Sequence, residues 1–254
     1  MKAAHSMVPR PTVLSGVPQP RRRRSPDRML SALIAGLIAF FVAKLSLAQP
    51  AYVQGHYESS LVPRHKMTVV YTDAQQAGDV NVVIVGWLNS FTQNIYVTDT
   101  NNNAYTVAYP MTSSSDGQLW EQIYIARNIL PALPRANTVT VKFSSNITSD
   151  VRALEYSGVF SFPGGTAETG TGDWARSGNV TITQVPALLV AGTMVAPGST
   201  VIGPTGGFSQ RLLSPLGDNV EDRVITALTP PNTYNAGARL SPAGTWLMLM
   251  LVFQ

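Results

Sequence analysis

The chain contains no cysteine and only three histidines in 254 residues, and only 13% of it is charged. The first absence removes disulfides, thiol nucleophiles and thiolate metal sites. The second leaves His56 and His65 as the only imidazoles outside the first 48 residues, and neither stands in a ligand or nucleophile spacing. No serine sits in a G-x-S-x-G setting and no glycine-rich loop leads into a helix, so acyl-transfer and nucleotide signatures are missing too. Sustained helical periodicity is also absent beyond residue 48; at most a turn is expected at "NILPALPR", which Pro131 and Pro134 would stop.

What basic charge there is lies at one end. Residues 1–48 carry eight Lys or Arg against one acid, whereas residues 49–254 carry ten against thirteen. The body has no electrostatic reason to hold phosphate, so nucleic acid is not expected as a partner. Arg21–Arg24 and Arg28 precede the apolar run "MLSALIAGLIAFFVA", and "LSLAQPA" follows Lys44. This is the pattern of a secretory signal cleaved after Ala48. An uncleaved anchor helix over about residues 30–48 is the alternative, and would be the only membrane contact. A span needs about 20 apolar residues, and this run is short and carries Lys44. In both readings the body is extracytoplasmic: secreted, periplasmic or at the cell surface.

Residues 49–66 are expected to be a linker and 67–254 a single domain. Its segments are short and rich in Val, Ile, Thr and Tyr, and turn signals such as "TDTNNNA", "SSSDGQ" and "PTGG" separate them. This predicts an all-β fold, an antiparallel sandwich of jelly-roll type. An outer-membrane barrel fits less well, because "NVVIVGW" and "TWLMLMLVF" are apolar on both faces instead of alternating. Such strands belong in sheet centres covered on both sides.

The stretch "SPLGDNVEDRV" packs three carboxylates into five positions. Strand alternation sends Val220, Asp222 and Val224 to one face and Glu221, Arg223 and Ile225 to the other. Glu221 and Asp222 therefore cannot work as a carboxylate pair. Glu221 is expected to pair with Arg223 at the surface, and Asp222 with Arg211 or, failing that, Arg152. In "DVRALEYSG", Glu155 lies on the small-residue face, where a lone acid is expected to be paired with an arginine. Asp218, Asn219 and Asp116 are weak candidates for a calcium rim. They lack the D-x-D-x-D-G rhythm of a calcium loop, so no metal, cofactor or catalytic residue is assigned.

Seven stretches in order, "GDVNVVIVGW", "TDTNNNAYTVA", "QIYIARNI", "NTVTVKF", "DVRALEYSG", "FSQRLLSPLGDNVEDRVITA" and "AGTWLMLMLVF", resemble a recurrent all-β module of secreted bacterial proteins. The resemblance spans roughly Val69 to Phe253 and departs at the "ILPALPRAN" insertion. It implies an exported β-sandwich and carries no activity or catalytic residue with it. Three function classes follow: a non-catalytic structural or adhesive surface module; a glycan-binding module, for which Trp174 in "TGDWARSG" is the aromatic candidate; and, last, a hydrolase on a β scaffold. The expected partner is a cell-surface glycan or another extracellular protein.

Overall fold

The computed structural model describes residues 49–88, 93–159, 161–162 and 164–254. The signal or anchor expected before Ala48 lies outside the described residues. Among the described residues the protein is all-β and has no helix. Its strands are β1 (Ala51–Val70), β2 (Val80–Leu88), β3 (Ile95–Asp99), β4 (Thr106–Ser113), β5 (Leu119–Arg127), β6 (Thr138–Ser157) and β7 (Gly164–Arg176). They continue with β8 (Val180–Thr181), β9 (Ala187–Val195), β10 (Thr200–Pro204), β11 (Ser209–Leu213), β12 (Asn219–Ile225), β13 (Thr233–Tyr234) and β14 (Gly237–Phe253). The first sheet runs β1-β6-β2-β5-β4, with β3 also on β6; the second runs β10-β14-β9-β12-β11, with β7 also on β14; β13 and β8 pair alone. All strand pairs are antiparallel.

The two large sheets share one apolar core, in a sandwich-like arrangement. Val82, Ile84, Ile123 and Leu154 of the first sheet meet Leu188, Val190, Leu249 and Leu251 of the second. Each sheet is also covered on its outer face. The amino-terminal half of β6 folds over with β1 and β3, so Val139 and Val141 join Val83, Val85 and Val151 in a second cluster. Beyond the other sheet, Ile182, Val201 and Phe208 cover Leu189, Met248 and Met250. This explains why β2 and β9 carry apolar residues on both faces: neither has a solvent face.

Residues 51–66, expected within a linker, instead form most of β1. They follow β6 through register shifts at 52–54, 60–64 and 64–66, which erase the alternation that marks a strand in sequence. β7 reads as a loop because it is built of Gly and Thr, yet it needs those residues. A Cβ at Gly170 would lie 2.6 Å from the Trp246 ring, and one at Gly165 would strike the Met250 carbonyl. Glycine lets β7 lie directly on the bulky strand β14.

Candidate functional site

Among the described residues the densest ionisable cluster is buried between the sheets. Arg152 projects from β6 on the same face as Leu154 and Tyr156, and it is completely buried. Its Nη2 donates to Glu121 Oε1 of β5 at 2.6 Å. Its Nη1 crosses to the second sheet and donates to the carbonyls of Thr193 at 3.1 Å and Asn219 at 2.8 Å. Its Nε lies 3.6 Å from Asp150 Oδ1. Two strand glycines make the room: a Cβ at Gly86 would be 3.2 Å from Arg152 Nη2 and would strike the Met194 sulfur, and one at Gly192 would be 2.9 Å from Glu121 Oε1.

Burial dominates the electrostatics. It raises Glu121 to about 7 even though Arg152 pulls the other way. Burial likewise raises Asp150 against the pull of Arg152. It raises Asp218 well above the carboxylate range, helped by the charge of Asp150, although Asp218 Oδ1 accepts the Val195 N–H at 2.9 Å. One guanidinium thus faces three carboxyls that resist ionisation together. Among the described residues Glu121 Oε2 and Arg152 Nε find no hydrogen bond, and Asp150 has only Arg152, Ser214 and Asp218 to offset its burial. A cavity of about 320 Å³, lined by Leu61, Leu88, Val195, Pro215 and Leu216, reaches Asp218 from outside. A carboxyl titrating near neutrality suits proton transfer, but both Glu121 and Arg152 are closed to solvent. What the arrangement does chemically is tie four strands of two sheets through one side chain.

Around this cluster the residues singled out in sequence fall as follows. Arg211 Nε donates to Asp222 Oδ2 at 2.8 Å, and its guanidinium lies 4.5 Å over the Tyr52 ring. Arg211 sits in the bulge between Gln210 and Leu212, which turns it to the side of Asp222.

Glu221 does not pair with Arg223, and this corrects the expected surface pair. The outer face of β12 is covered, so Glu221 is buried; it accepts the Gly237 N–H at 3.1 Å and the Asn219 amide at 3.2 Å. Arg223 turns instead to the Gly206 carbonyl and the Tyr234 ring.

Glu155 has no arginine either. Arg152 leaves β6 on the opposite face and is committed to Glu121, while Glu155 accepts the Gln54 amide at 2.7 Å and the Gln76 N–H at 3.3 Å. Its other neighbour is Asp79, which burial, then the Glu155 charge and hydrogen bond, raise to about 6. Because that pKa stands above the unfolded value, its stabilising share is complete below pH ~4 and is lost as pH rises through 6. Asp79→Asn should therefore raise the melting temperature at pH 8 and change it little at pH 4, as thermal unfolding at the two pH values will read. An equal shift at both would refute the assignment.

The calcium candidates do not converge. Asp116 accepts from Ser114, Gln118 and Thr245, Asp218 is held at Val195, and Asn219 is turned to Glu221. Among the described residues no group of three or more His, Cys, Asp or Glu is set to hold a metal.

Trp174, the aromatic candidate, lies in β7 opposite Arg239, half-exposed, with the guanidinium carbons of Arg176 and Arg239 each 4.8 Å from its ring centre.

Glu121 and Asp150 escaped the sequence reading. The available signal was Gly86 and Gly192, glycines inside otherwise apolar strands, which mark a close approach by another group. No family model, curated protein or solved structure matches the chain.

Proposed function

We propose that the chain is a non-catalytic, exported β-sandwich module with a structural or adhesive role. The observation that carries this is Arg152: the densest group of ionisable side chains among the described residues is spent inside, fastening one sheet to the other, with Arg152 and Glu121 closed to solvent. The basic block and apolar run of the leader support export. The test is protease added to whole cells and to cells whose outer layers alone have been opened. It should degrade the chain from residue 49 onward while the cytoplasmic membrane is intact, and protection until the cytoplasm is released would sink the proposal.

A second reading, glycan binding, is favoured by Trp174, whose indole is half-exposed between two arginines and carries an apolar face with a polar edge. On a glycan array the parent should bind at least one sugar class and Trp174→Ala should lose it. A parent blank on every sugar, or a Trp174→Ala variant that binds like the parent, rejects this reading.

A further inference from the structure

We infer that the exposed face of the three-stranded lobe formed by β3 and the adjoining halves of β6 and β1 is a docking surface for an acidic polysaccharide. The inference gives the adhesive reading a surface and a ligand class, and rests on that reading.

From residue 49 onward the chain has two lysines, Lys66 and Lys142. They stand directly opposite each other in the β1–β6 register. Like charges placed so are destabilising. In a body with more acids than bases they had many other places to be. Both are exposed, and neither has an ion-pair partner among the described residues. The next residue in the same row is Tyr96, opposite Lys142 on β3 and 66% exposed. The row below is Thr68, Thr140 and Thr98, again in register, so three hydroxyls stand beside the two ammonium groups. No acid stands in these two rows, and the alternate positions Met67, Val69, Val139 and Val141 point into the core.

The composition selects the ligand. Two cations at one strand spacing, about 4.8 Å apart at the backbone, suit repeated carboxylates or sulfates. Tyr96 offers a ring for the apolar face of a sugar, and threonines pair with hydroxyls. A flat face suits an extended polymer, whereas small anions are held in concave sites. A lipid surface would require aliphatic side chains to insert, and the two rows contain none.

The test is affinity electrophoresis of the full-length protein in gels carrying polygalacturonate or neutral dextran. Because Arg21–Arg24 would bind the same polymer, all chains compared carry glutamine at those four positions. The parent should be retarded by polygalacturonate alone. Lys66→Gln with Lys142→Gln should weaken retardation about tenfold, as should Tyr96→Ala, since contact charges and aromatic anchors dominate such surfaces. The lysine variants should melt no lower than the parent, because a like-charge pair has been relieved. That separates a binding role from a structural one. The proposal is overturned if the parent is not retarded, or if the double variant is retarded equally. Loss of binding with a lowered melting temperature overturns it too, as does Trp174→Ala abolishing retardation that the lysine variants keep. Binding to phosphatidylglycerol vesicles without polygalacturonate binding would assign the face to a membrane instead. The export on which the adhesive reading depends is judged separately, by the protease test, so the two can fail independently.

Discussion

Arg152→Ala is expected to leave the protein without a cooperative unfolding transition at 25 °C. The substitution removes the cation and leaves Glu121, Asp150 and Asp218 buried around a void. Breaking a buried pair by deleting one partner costs about 3–5 kcal/mol. Here the loss is larger, because the Thr193 and Asn219 carbonyls also lose their donor. A domain has only about 5–15 kcal/mol in total. Urea unfolding followed by tryptophan fluorescence checks this. A variant whose midpoint stays near the parent's would show that the clamp contributes little.

Glu121→Gln, by contrast, should be mild at pH 7. With a pKa of about 7, Glu121 is already half protonated there, so the amide replaces a group that is neutral much of the time. Its Oε1 still accepts from Arg152. The guanidinium, which burial depresses but Glu121 and Asp150 more than restore, stays charged in the parent and in Glu121→Gln alike. The asymmetry between Arg152 and Glu121 distinguishes a guanidinium that crosses between sheets from one half of a simple ion pair.

Much of the fold was legible because alternation is local. It separated Arg152 from Glu155 and Glu221 from Asp222, and the structure places those residues on opposite faces. Alternation does not say what each face meets. The outer face of β12 is covered by segments from elsewhere in the chain, among them Ile182, Phe208 and Ala236, so a carboxylate expected in water is buried beside a backbone amide. β1 and β7 were hidden for related reasons. Register shifts blurred one, and glycines chosen for contact with β14 disguised the other as a loop. The Arg152–Glu121 pair joins residues 31 apart in sequence through a third strand, β2, and only the two strand glycines hinted at it.

Glu221 yields the second large effect. Burial raises its pKa to about 8, against the pull of Asn219 and the Gly237 N–H. A carboxyl raised from 4.5 in this way contributes stability that is complete below pH ~4.5 and is lost as pH climbs to 8, because the unfolded chain ionises freely while the folded chain cannot. Each pKa unit is worth about 1.4 kcal/mol, so the penalty above pH 8 is on the order of 5 kcal/mol, an upper bound because local opening admits water. Glu221→Gln removes the ionisation and keeps an acceptor for Gly237. Its new N–H can serve the Asn219 Oδ1, which has no partner in the parent, once the Asn219 amide turns over. The variant should therefore match the parent near pH 4 and exceed it increasingly up to pH 8, with a constant gap beyond. Urea midpoints from pH 4 to 9 measure the gap. If the two curves run parallel, Glu221 reaches solvent, and the covered outer face of β12 is not as closed as its neighbours make it.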